Sequence, residues 1–144
     1  MGAPDVVGPE RLLASAGRLY GPDNMERLWG EVAPVPEERI VPLAGGEEVE
    51  GFGVVHTPGH AGHHVCYFDV ETGDAYVGDM AGVRIPPSEY TVPPTPPPEI
   101  DVEAWLDSVD AIEQMEPTAL HMTHFGAAEP GPQLDRARAA LRRN

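Results

Sequence analysis

The 144-residue chain carries a formal net charge of −15, with 24 acidic residues against 9 cations, all of them Arg. So acidic a surface repels phosphate backbones and anionic lipid, which argues against nucleic-acid and membrane partners, and no stretch approaches the about 20 apolar residues that span a bilayer. The solitary Cys66 excludes an intrachain disulfide and a cysteine-rich zinc module and fits a cytoplasmic protein.

The N-terminus, MGAPDVVGPE, lacks the basic region and apolar core of a secretory leader. Residues 9–20, PERLLASAGRLY, place Leu12, Leu13, Ala16, Leu19 and Tyr20 at helical spacing, with Pro9 suited to the first helical position and Gly21 to the stop. Asp23 is placed to cap a second short helix through Trp29, with Glu26 as capping-box partner and Gly30 as terminator. Residues 1–39 thus form a helical segment of a single 1–144 domain.

Residues 40–85 read as short strands: IVPL, EEVEGFGVVHT, HHVCYFDV and AYVGD. Gly45 and Gly46 separate the first two and PGHAG the next, while ETGDA predicts a hairpin joining the last two antiparallel. Residues 86–100 form a Pro-rich loop, too proline-dense for a helix or an inner strand. It reads equally as a surface excursion or as the rim of a site, with Arg84 beside it as a candidate pocket residue.

Residues 101–144 read as helix, strand, helix. Val102, Trp105, Leu106, Val109, Ile112 and Met115 share one helical face over 101–115, Asp101 is the cap, and Ile100 and Trp105 are spaced for a hydrophobic staple. TALHMTH reads as a strand, and the last helix is expected from about Gln133 to Arg143.

All six His fall after residue 55: His56, His60, His63, His64, His121 and His124. Neutral imidazole is a common ligand of divalent metals, so the cluster points first to a zinc site. The Pro58-Gly59 turn leaves His60 at a strand end. His63 and His64 alternate faces at the next strand, so at most one can join it. Asp79, just past the strand AYVG, sits where a carboxylate serves either as a metal ligand or as a turn or helix cap. His121 and His124 differ by an odd number of positions and face opposite sides of a strand.

Taken together, TPGHAGHH, the GD closing a strand, and HMTHFG resemble the third, fourth and fifth metal-site motifs of the metallo-β-lactamase superfamily, in order. The segments PERLLASAGRLYG, ERLWGEVAPVPEERI, GDMAGVRIP and PPTPPPEIDVEAWLDS are similar to a bacterial branch of these metallo-hydrolases, so the resemblance covers nearly the whole chain. It implies an α/β (α+β) fold, the C-terminal half of an αβ/βα sandwich with flanking helices. It also implies two zinc or other divalent ions, with His60 on the first, His124 on the second and Asp79 bridging. His56, His63, His64 and His121 match no ligand position.

The family's second motif, His-x-His-x-Asp-His, has no counterpart in the sequence. That motif supplies most ligands of the first metal and the Asp beside the nucleophilic water, so no residue of this chain is assigned a catalytic role. The resemblance places the chain as the later part of the family's domain, with the N-terminal sheet missing. A small-molecule ester, thioester, lactone or similar bond would be hydrolysed once another chain supplies the missing half. The competing expectation is a non-catalytic remnant or protein-binding module with at most weak single-metal binding. Either way the apolar strand faces VCYF and FGVV predict self-association or poor solubility.

Overall fold

The structure is a computed structural model and describes residues 2–95 and 100–143. The chain forms two compact units, residues 1–42 and 43–144, a division close to the change of pattern that the sequence places at 39/40.

The first unit is helical: α1 (Ala3–Val7), α2 (Glu10–Tyr20), α3 (Pro22–Trp29) and a 3-10 turn at Glu37–Arg39. Gly21 separates α2 from α3 at φ 78°, a conformation that suits glycine, and Pro22 follows at the first helical position. The N-cap of α3 is therefore Gly21, with no side-chain cap bond, and Asp23 lies inside the first turn instead of capping it. Gly30 ends α3 as expected, its N–H reaching the Glu26 carbonyl at 3.2 Å. Only Ala16 of α2 is buried, while Leu12, Leu19, Tyr20, Leu28 and Trp29 stay exposed.

Among the described residues the second unit is one six-stranded sheet with two helices. Its strands are β1 (Glu48–Val49), β2 (Phe52–His56), β3 (Val65–Asp69), β4 (Ala75–Gly78), β5 (Leu120–Met122) and β6 (Gly126–Ala128), hydrogen-bonded in that order. All neighbours are antiparallel except β4 and β5, which run parallel because α4 (Val102–Gln114) lies on the crossover between them. The final helix is α5 (Pro130–Leu141), which starts earlier than expected because Pro130 opens it.

Several strand boundaries differ from expectation. IVPL forms no strand, and EEVEGFGVVHT is two strands folded at Glu50 and Gly51, whose φ of 52° and 86° make a tight turn. The predicted β3–β4 hairpin is present, pairing Tyr67 with Tyr76 and Phe68 with Ala75. TALHMTH is strand only over Leu120–Met122, after which the chain turns back into β6.

The register sorts side chains by face. Cys66, Ala75, Val77, Leu120 and Met122 pack against Trp105, Val109, Ile112, Leu134 and Leu141 in a single core cluster. Asp101 caps α4, accepting the Ala104 N–H at 3.0 Å, and Ile100 packs against this core, as the staple predicts. On the opposite face Phe52, Tyr67 and Tyr76 meet edge to face and Tyr76 stacks on His121, with Tyr67 and Tyr76 exposed. The second unit is thus a sheet covered by helices on one face, the half-sandwich that the resemblance implies.

Candidate metal centre

His60 is held by a turn docked on the start of α4. The Pro58 carbonyl accepts the Ser108 hydroxyl at 2.7 Å, and the Gly59 carbonyl accepts the Asp101 N–H at 2.9 Å. His60 lies edge-on to the Trp105 indole, centroids 5.4 Å apart. Its Nδ1 is 2.8 Å from the Pro94 carbonyl oxygen, which can only accept.

Asp79 follows β4 and opens a turn closed by the Gly82 N–H on its carbonyl at 2.9 Å. Two buried donors fix that turn from behind. The Trp105 indole N–H reaches the Met80 carbonyl at 2.9 Å, and the Gln133 amide reaches the Ala81 carbonyl at 2.8 Å. His124 sits in the β5–β6 turn, beyond the strand that the sequence extends to it. The Thr123 N–H bonds the Gly78 carbonyl at 3.2 Å, and Phe125 and Gly126 reverse the chain at φ 64° and 95°.

These three elements bring the predicted residues together. His60 Nε2 lies 3.5 Å from Asp79 Oδ2, and His124 Nε2 lies 3.5 Å from Asp79 Oδ1. Both distances exceed a normal N–H to O hydrogen bond. They match the roughly 3.4 Å that separates two ligands on one tetrahedral ion with bonds of 2.0–2.2 Å. Asp79 Oδ1 is buried and has no hydrogen-bond donor among the described residues, a costly state for a carboxylate oxygen that a cation would relieve. The chemistry of this donor set, one imidazole facing each carboxylate oxygen, fits a divalent metal. Among the described residues no three such side chains converge to hold one ion by themselves.

A sequence profile of the metallo-beta-lactamase superfamily matches residues 2–124. The chain belongs to that superfamily. It is 28% identical over 127 residues to the metallo-beta-lactamase fold-containing protein ST1585 of Sulfurisphaera tokodaii, covering 85% of this chain and 46% of that protein. The crystal structure of ST1585, an archaeal superfamily protein, matches with a TM-score of 0.76 and 22% identity over 96% of this chain and 55% of that one. The family protein TTHA1429 of Thermus thermophilus matches with a TM-score of 0.62 and 22% identity, covering 99% and 48%. TTHA1623, solved in a di-iron-bound form, matches with a TM-score of 0.58 and 26% identity, covering 82% and 57%. This superfamily member thus spans about half the length of the relatives it matches.

The other His of the superfamily member have different partners. His64 shares a 2.8 Å hydrogen bond with the Thr57 hydroxyl, which in turn lies 3.2 Å from Cys66 Sγ. Burial, then the neighbouring His60, pushes the His64 pKa down to about 4, and burial pushes the Cys66 thiol up to about 12. His56 Nε2 donates to the Gly62 carbonyl at 3.0 Å, and His63 is exposed. His121 bonds Asp74 at 2.8 Å and stacks on Tyr76 on the aromatic face. A cavity of about 190 Å³ lies between Glu89–Thr91 and α5 and includes none of the three site residues. Arg84 does not line it, and its Nε is buried without an acceptor among the described residues. Residues 96–99 of the Pro-rich loop lie outside the described residues. Ser108, Gln133 and the Pro94 carbonyl carry no local sequence signal, since each is defined by a partner distant in the chain.

Proposed function

We propose that this chain carries the later metal ligands of a zinc-dependent hydrolase of the metallo-β-lactamase fold, acting on an ester, thioester, lactone or similar bond. The observation that supports it best is the Asp79 carboxylate, with one oxygen facing each imidazole and its Oδ1 buried and unpartnered.

His60 would hold the first ion, His124 the second, and Asp79 would bridge them. Such a pair supplies a hydroxide at neutral pH and polarises the oxygen of the bond under attack. Within this chain, the Pro94 carbonyl orients His60, and Trp105 and Gln133 keep the Asp79 turn from swinging into solvent. Two ligands per position leave each ion short of a closed site. Hydrolysis therefore requires, besides these ligands, a His-x-His-x-Asp-His segment, which these 144 residues do not contain. The exposed aromatic face offers that segment's sheet a surface, or a second copy of this chain in its absence. The acidic charge disfavours nucleic acid, no described helix is long and apolar enough to cross a membrane, and the solitary Cys suits the cytoplasm. The di-iron form of TTHA1623 makes iron the alternative metal.

Elemental analysis of the purified chain, before and after His60→Ala, Asp79→Ala and His124→Ala, tests the reading. Bound zinc or iron lost in each variant is expected, with hydrolysis of a model thioester appearing only when a segment carrying His-x-His-x-Asp-His is also present. Metal content unchanged by all three substitutions would defeat it. The second reading, a non-catalytic binding module, is favoured by the aromatic face alone and predicts less than one equivalent of tightly held metal and no loss of folding with a chelator.

A further inference from the structure

The chain leaves the site at Asp79 and returns to it at Pro94. Between them, Val83 and Val92 form an antiparallel bridge, with N–O distances of 2.8 and 3.0 Å, while Ile85 and Tyr90 at the outer end are exposed. The base of this excursion is anchored by one fully buried side chain. Gln133 Nε2 on α5 donates to the Ala81 carbonyl at 2.8 Å and lies 3.4 Å from the Thr91 hydroxyl, so it ties the outgoing and returning strands together. Two residues past Val92, the Pro94 carbonyl meets His60 Nδ1 at 2.8 Å.

A neutral imidazole has one proton and two competing acceptors here. Asp79 Oδ2 is 3.5 Å from Nε2, beyond hydrogen-bond range, whereas the Pro94 carbonyl oxygen is within it. A lone pair on Nδ1 facing a carbonyl at 2.8 Å would be repulsive. We propose that the 83–92 hairpin and Gln133 form a positioning frame that, through the Pro94 carbonyl, locks His60 as its Nδ1-protonated tautomer with the Nε2 lone pair turned toward Asp79. The frame makes the loop that begins at one site residue set the protonation pattern of another. Its consequence for metal affinity rests on the reading of His60 as a ligand; the tautomer itself does not.

The test uses the full chain, labelled with nitrogen-15 at His, stripped of metal with a chelator and held at about pH 8, where histidine is ordinarily neutral. A long-range proton–nitrogen correlation spectrum, with His60 assigned from its loss in His60→Gln, is expected to show a single Nδ1–H tautomer. His121, whose Nε2 donates to Asp74, serves as the opposite reference. An Nε2–H tautomer or an averaged mixture for His60 would overturn the proposal. Val92→Pro removes the N–H that bonds Val83, and Gln133→Met removes the amide that bonds Ala81. In either variant His60 is expected to become a tautomer mixture while His121 is unchanged, and zinc binding by calorimetry to weaken about 10-fold or more. A folded variant that keeps the wild-type His60 pattern would sink the frame. If a variant fails to fold, the wild-type spectrum still decides the tautomer. A locked Nδ1–H tautomer in a chain that takes up no zinc would refute the proposed function and leave the frame standing.

Discussion

Gly59 lies against the backbone of Trp105: a Cβ at Gly59 would come within 2.4 Å of the Trp105 Cα. Its φ of 133° is also closed to other residues. Gly59→Ala must therefore push the His60 turn off α4, breaking the Asp101 and Ser108 hydrogen bonds that hold it. The expected loss is about 3 kcal/mol or more, because overpacking and backbone strain act together. Urea denaturation reads it, and a change under about 0.5 kcal/mol would contradict the tight docking.

The depressed pKa of His64 makes the metal-free chain acid-sensitive. Its pKa is about 4 in the folded chain and 6.5 in the absence of the fold, with burial as the first cause. Between those values the unfolded chain binds the proton and the folded chain does not, so stability rises with pH across this window and falls on acidification. The contribution is at most about 3 kcal/mol. His64→Gln, which can still bond Thr57, should flatten the dependence of unfolding free energy on pH between about 4 and 6.5. An unchanged slope would show that another group carries it.

Cys66 is fully buried, bonded to Thr57, and has its pKa pushed up to about 12. At about pH 8 it is expected to resist a thiol reagent in the folded chain and to react fully in urea. Because the unfolded thiol ionises near 9 and the folded one near 12, stability falls as pH rises through that interval. Rapid labelling of the native chain would place Cys66 outside the core.

The aromatic face leads to a prediction about assembly. With Tyr67 and Tyr76 exposed beside Phe52, the isolated chain is expected to self-associate at micromolar concentration. Tyr67→Glu with Tyr76→Glu should shift light scattering toward monomer without lowering the melting temperature by more than a few degrees. A monomeric wild-type chain would remove this face as the contact.

Most helices were legible because their signals are local. Pro at the start, Gly past the end and the Asp101 cap act within a few residues, and α2, α3 and α4 end close to where those residues place them. The hairpin between β3 and β4 was legible from its turn for the same reason. The break at Glu50-Gly51 and the strand β6 were not. A two- or three-residue strand has too little alternation to register, and only pairing with a neighbour makes it a strand.

The site divides along the same line. By itself the sequence singled out His60, Asp79 and His124 as candidate ligands, since they stand beside turn-forming residues in motifs that resemble the family's. Only the tertiary structure decided that Asp79 faces one imidazole with each oxygen, that His124 is on a turn instead of a strand, and that Pro94, Ser108, Trp105 and Gln133 hold the arrangement. Those partners meet through sheet register and the docking of α4 and α5, and a hydrogen bond between distant segments leaves no trace in the spacing of either one.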